Sequence, residues 1–217
     1  MRYNAQVEYH ESMNPNEAST VNPQERNDHL AATLRTLRNE RGWSLDRAAR
    51  ETGVSKAMLG QIERGESSPT VATLWKIATG FATSLSTFLE PVPPAAEGGH
   101  LFRSADALRT QPGNGGMLVA PLFPYEARFG FEVFELTLPP GYERLSEAHE
   151  PGVTESVLVV RGTMEVLVEE SWIALGEGEA VRFPADRPHG YRNPSAEPAV
   201  FHNLIHYART PDPTRSI

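Results

Sequence analysis

The chain has 217 residues, 39% hydrophobic and 22% charged, which is apolar material enough for one large packed domain or two small ones. Cysteine is absent, excluding disulfides, thiol nucleophiles and Cys-ligated zinc. No apolar run approaches the ~20 residues of a membrane span and no basic, apolar-cored leader opens the chain, so a soluble cytoplasmic protein with no membrane partner is expected.

The net charge of −8 argues against nucleic acid as a partner until it is divided by region. Residues 1–23 carry −2, residues 24–90 carry +1 and residues 91–217 carry −7. Only the middle block is not acidic. Residues 1–23 are polar without apolar periodicity and read as a disordered tail.

From 24 to 90 the pattern is helical. Leu30, Leu34 and Leu37 repeat at helical spacing up to a stop near Gly42. Ser44 is placed to cap a second helix with Leu45, Ala48 and Ala49 on one face. Thr52-Gly53-Val54 breaks it, and a third helix runs from about Ser55 to Arg64, closed by Gly65. Ser68-Pro69-Thr70 starts a fourth with Val71, Leu74, Trp75 and Ala78 inward. Leu85, Phe88 and Leu89 make a short fifth. Two short helices joined by a glycine turn within such a bundle describe a helix-turn-helix.

The third helix carries the distinctive chemistry. Val54, Leu59 and Ile62 fall on a buried side, while Ser55, Lys56, Ala57, Gly60, Gln61 and Arg64 form the other. Reading DNA needs small residues for close approach, an amide for adenine, and cations for guanine or phosphate. Gly60 inside a helix costs ~1 kcal/mol relative to Ala; close approach to DNA and tight packing on the second helix explain it equally well.

Residues 91–100, beginning PVPPAAEGG, read as a linker. From 101 to 210 come short β-branched and aromatic runs between Gly and Pro turns: Met117–Leu122, Phe131–Leu138, Glu155–Val160, Met164–Val168, Trp172–Leu175, Ala180–Phe183 and Val200–Tyr207. This spacing suggests an all-β sandwich or barrel. His202 and His206 lie four apart in a strand and share one face, either lining a pocket or on the outside. Arg182 and Arg192 are candidate carboxylate holders, with solvated surface as the alternative. Residues 211–217 are a C-terminal tail.

Two resemblances follow. WSLDRAARETGVSKAMLGQIERGESSPTVATLWKIATG resembles the DNA-binding domain of the XRE (phage-repressor/Cro-like) regulators, a five-helix lambda-repressor-like bundle. It implies that Ser55, Lys56, Ala57 and Gln61 face bases of an operator. Ser44, Arg64 and Ser68 would lie near phosphates, and Arg38 and Glu63 would pair between the first and third helices. Leu45 departs from the Gln many members carry there.

The second resemblance rests on Gly141, Glu147-Ala-His149, Glu155 and Gly162, and on Gly178, Pro184, Asp186, His189 and Asn193. These are similar to the two motifs of the cupin superfamily, a jelly-roll barrel. His149, Glu155 and His189 would form a two-His, one-carboxylate face for zinc or a similar divalent ion, with Glu147 as a fourth ligand in place of the usual His. A metal-free pocket is the alternative.

The joined pattern resembles XRE regulators with a cupin sensor, and VSKAMLGQIERGESSPTVATLWKIATG, LFPYEARFGFEVFE and LIHY resemble their sulfur-utilisation branch. This implies a two-domain α plus β transcriptional regulator, dimeric and not an enzyme. Its cupin would bind a small-molecule effector, such as a sulfur-containing amino acid, in a pocket of His149, Glu155, His189, His202 and His206. The competing class is a cupin metalloenzyme, a dioxygenase or isomerase, fused to a helical module.

Overall fold

The computed structural model describes residues 23–91, 101–113 and 116–208. The expected N-terminal tail up to residue 22, all of the linker after Pro91 and the tail beyond 210 lie outside these residues, while Pro23, expected in the tail, opens the first helix. No helix among the described residues is long and apolar enough to cross a membrane.

Five helices come first: α1 (Pro23–Glu40), α2 (Leu45–Thr52), α3 (Lys56–Glu63), α4 (Val71–Gly80) and α5 (Ser86–Leu89). Their starts follow from local chemistry. The hydroxyls of Ser44, Ser55 and Thr70 accept the backbone N–H of Arg47, Met58 and Thr73, at 3.2, 3.2 and 3.3 Å. Gly53, at φ 66°, takes the left-handed conformation that ends α2. Gly80 ends α4 where a Cβ would stand 2.6 Å from the Glu51 carbonyl oxygen, so α2 and α4 touch backbone to backbone.

Arg38 joins α1 to α3. Its Nε and Nη2 donate to the two Glu63 oxygens at 2.6 and 2.9 Å, and its Nη1 donates to the Trp43 carbonyl at 2.9 Å. Both side chains are largely buried. Truncating one partner leaves the other charge unpaired, so Arg38→Ala is expected to lose about 3 kcal/mol of stability in urea titrations. A loss below about 0.5 kcal/mol would contradict that expectation.

After a single helical turn, α6 (Ala105–Leu108), nine strands among the described residues form two antiparallel sheets. One has the order β1-β2-β9-β4-β7, built from Leu118–Glu126, Phe131–Leu138, Ala199–His206, Thr154–Arg161 and Ala180–Pro184. The other has the order β3-β8-β5-β6, from Glu143–Ser146, His189–Arg192, Met164–Val168 and Ser171–Leu175. Inner faces alternate strictly along β2, where Glu132, Phe134, Leu136 and Leu138 are buried. The two short strands β3 and β8 and the turn α6 had no counterpart in the sequence reading.

The helical and β units share one continuous apolar core running from Leu30 to Ile205. Val71 and Trp75 of α4 and Leu85 before α5 line the barrel interior beside Met117, Phe134 and Ile205. The helices therefore close the mouth of the jelly roll. Glu132, fully buried on β2, accepts the backbone N–H of Leu85 at 3.2 Å and of Ser86 at 3.0 Å, and also the Tyr207 hydroxyl. Ser86 Oγ in return accepts the Tyr125 N–H at 3.0 Å. Arg103–Glu90, at 2.5 Å and nearly buried, adds a second tie.

Candidate functional site

The outward face of α3 presents Lys56, Ala57, Gln61 and Arg64, all exposed, with Ser55 and Ser68 at its ends. Ser44, also exposed, stands at the start of α2. Its cations hold only exposed carboxylates: Lys56 pairs with Asp46 at 2.8 Å and Arg64 with Glu66 at 2.7 Å. Such surface pairs are weak and can be exchanged for phosphates. Ser44 and Ser55 use a lone pair for capping, which leaves each O–H free to donate. Met58, 38% exposed, belongs to the same face and was not anticipated. At Gly60 a Cβ would meet only the far end of Arg64 at 3.2 Å and Leu45 at 3.8 Å. Packing on α2 therefore does not demand the glycine.

The second site lies under the barrel mouth. Glu155 on β4 is the hub. Its Oε1 lies 2.8 Å from His149 Nε2 and 3.5 Å from His189 Nε2. Its Oε2 accepts the Tyr191 hydroxyl and, at 2.9 Å, the Asn203 amide. Burial alone would raise this carboxyl, but the hydrogen bond from His149 and the attraction of the nearby His189 ring outweigh it and hold Glu155 well below the usual carboxylate range. His189, on β8, is pulled down by burial and raised further by Glu155, ending above the ordinary histidine value.

His189 Nδ1 lies 3.0 Å from the Arg187 carbonyl, to which it donates, so Nε2 carries the lone pair. That Nε2 is buried with no hydrogen-bond partner among the described residues. One donor atom from each of His149, Glu155 and His189 lies within 4.8 Å of the others. An oriented, orphaned imidazole nitrogen in a two-His, one-carboxylate cluster fits a divalent cation. His149 also meets the helical unit: its ring stacks on Trp75 of α4 with centroids 4.4 Å apart.

A helix-turn-helix family model matches residues 34–88 and a cupin domain model matches residues 134–205. The chain is 48% identical over 181 residues to the HTH-type transcriptional regulator SutR of Escherichia coli (strain K12), spanning 83% of this chain and 96% of that protein. The chain belongs to the HTH-type transcriptional regulators with a cupin domain. A crystal structure of an HTH_3 family transcriptional regulator from Vibrio cholerae is similar to the regulator with a TM-score of 0.71 and 44% identity. It covers 84% of this chain and 97% of that one.

Several side chains expected at the cupin site of the regulator are elsewhere. Glu147 points out of the barrel, 76% exposed, to Lys76 of α4 at 2.8 Å, so it is not a fourth ligand. His202 and His206 stand on the outer face of the five-stranded sheet, because the period of two sends their neighbours Phe201, Asn203 and Ile205 inward. His202 lies 3.5 Å from Glu135 there, and neither histidine lines the pocket. Arg182 donates to Ser156 at 2.9 Å on the surface, and Arg192 pairs with Glu165 and covers the Trp172 ring at 4.1 Å. Tyr191, Asn203 and Arg144 enter the barrel instead. Asn203 alternates with Phe201 and Ile205 along β9, a signal the sequence offered; Tyr191 and Arg144 offered none, since β8 and β3 were not recognised.

Proposed function

We propose that the regulator binds double-stranded operator DNA through α3 and that its cupin adjusts this binding in response to a small-molecule effector. The observation that carries the first part is the exposed face of Lys56, Ala57, Gln61 and Arg64, with its cations held only by surface carboxylates. Ser55 joins Lys56, Ala57 and Gln61 at bases; Ser44, Arg64 and Ser68 lie near phosphates. One such unit buries little interface, so a homodimer reads two half-sites about 34 Å apart.

Mutants separate readers from anchors. Gln61→Ala is expected to lose about 1–3 kcal/mol on the preferred operator and to relax base preference. Arg64→Ala is expected to weaken all DNA alike and to flatten the salt dependence by about one unit of slope. Equal effects of both on specific and random DNA would contradict the assignment.

The effector belongs to the sulfur-containing amino acids and related metabolites suggested by the sulfur-utilisation resemblance. His149, Glu155 and His189 would hold a divalent ion such as zinc, which when bound supplies a Lewis-acidic anchor. Sensing is favoured over catalysis by the 48% identity to a transcriptional regulator; beside these donors lies an interior cavity of about 10 Å³, the space of one water. Trp75 and Leu85 bound it from the helical side. Native mass spectrometry of the purified full chain reads metal, retained ligand and subunit number together. Metabolite turnover by the metal-loaded protein would favour the enzyme reading.

A further inference from the structure

Inside the barrel mouth, Arg144 on β3 is 9% exposed, and no hydrogen bond or ion pair holds its guanidinium among the described residues. Its Nε is an orphaned donor, and Ser146 Oγ, two residues along on the same face of β3, is orphaned as well. Glu155, the carboxylate nearest in chemistry, is committed to His149 through one oxygen and to Tyr191 and Asn203 through the other. The Glu155 charge attracts it from a distance, but burying a cation without a hydrogen-bonded partner is strongly unfavourable. A fold that keeps one has a use for it.

The space beside these groups indicates that use. A cleft of about 270 Å³ runs between α4 and the end of β3, bounded by Trp75, Lys76 and Thr79 on one side and Arg144, Ser146 and His149 on the other. It adjoins the water-sized interior cavity, which Trp75, Arg144, Ser146 and His149 also line. A guanidinium fork with a hydroxyl beside it matches the planar, bidentate geometry of a carboxylate.

We propose that Arg144 and Ser146 seat the carboxylate of a small organic acid whose remainder lies in the cleft against Trp75 and α4. The inference rests on the reading of the cupin as an effector sensor and deepens it by giving the effector a charge and a position. Because one wall of the cleft is the helical domain, the ligand touches sensor and reader at once. Its affinity then depends directly on how α4 sits on the barrel.

The test uses the full-length protein. Thermal unfolding is followed with acetate, pyruvate, succinate and the L-amino acids, each against its neutral amide at equal ionic strength. At least one acid is expected to raise the Tm by about 2–4 °C where its amide does not. Arg144→Met is expected to abolish that shift while melting at or above wild type without ligand, since an apolar side chain of similar length relieves an unpaired buried charge. Arg144→Lys, which keeps the charge but loses the fork, is expected to retain a weakened response. The proposal is overturned by a wild-type protein that no acid stabilises over its amide. An undiminished shift in Arg144→Met, or a Tm well below wild type in both variants with the shift kept, also overturns it. Operator affinity measured with the stabilising acid separates the two readings. An Arg144-dependent shift with unchanged DNA affinity supports the anion seat and defeats effector control.

Discussion

Replacing Glu155 by Ala is expected to lower the unfolding free energy by about 3–5 kcal/mol, a large share of a typical domain's stability. Its removal strips acceptors from His149, Tyr191 and Asn203 together in the barrel interior. His189→Ala is expected to be much milder, because the Glu155 bonds to His149, Tyr191 and Asn203 all survive it. Urea titrations of the two variants check the contrast. A Glu155→Ala protein as stable as His189→Ala would contradict the hub role. For the same reason His189→Ala, not Glu155→Ala, is the cleaner probe of the proposed metal and effector.

Glu132→Ala is expected to lose about 2–4 kcal/mol and to loosen the helical domain from the barrel. Two backbone donors at the start of α5 and the Tyr207 hydroxyl lose the buried acceptor they share. Calorimetry should then resolve two transitions where wild type gives one, and a single unshifted transition would refute this. The group also leaves a pH signature. Burial raises the Glu132 carboxyl above its ordinary value, against the pull of its hydrogen bonds. The folded protein thus keeps this proton at pH values where the unfolded chain, titrating near ~4.3, has released it. The stability tied to that proton is fully present below the unfolded value and is lost as pH rises through the folded one. Lowering the pH from neutral to about 5 should therefore stabilise wild type relative to Glu132→Gln. Glu155 acts oppositely: its depressed carboxyl contributes stability above ~4.3 that is lost as pH falls through its folded value.

The helical half was legible because its signals are local. Ser44 caps the helix it was expected to cap, the third and fourth helices start at Ser55 and Thr70 near where they were expected to start, and Gly53 breaks the chain at a φ of 66°. Strands with apolar alternation were legible for the same reason. What escaped was the pair β3 and β8, four residues each, reading Glu-Arg-Leu-Ser and His-Gly-Tyr-Arg. Neither contains a β-branched residue or an apolar alternation, since their inward positions are given to polar chemistry. With β3 unseen, Arg144 had no face. His202 and His206 were placed on a common face correctly, but which face was inner depended on Asn203 meeting Glu155 across the sheet, a contact between residues 48 positions apart. Docking of the two domains through Glu132, Leu85 and Ser86 was equally invisible, because no local pattern announces a carboxylate reaching a helix start in another domain.

The closure of the barrel by α4 and α5 constrains how such a molecule can change over generations. A sensor joined to its reader only by a tether could be exchanged for another by simple recombination. Here Val71, Trp75 and Leu85 form part of the cupin barrel's own wall. Transplanting the β half onto a foreign reader would leave that wall missing and apolar surface wet, and expressing the helical half alone would bare the same three side chains. Changes in this seam are therefore expected to arise by paired substitutions on both sides of it, with Trp75 and its α4 neighbours changing in step with β3.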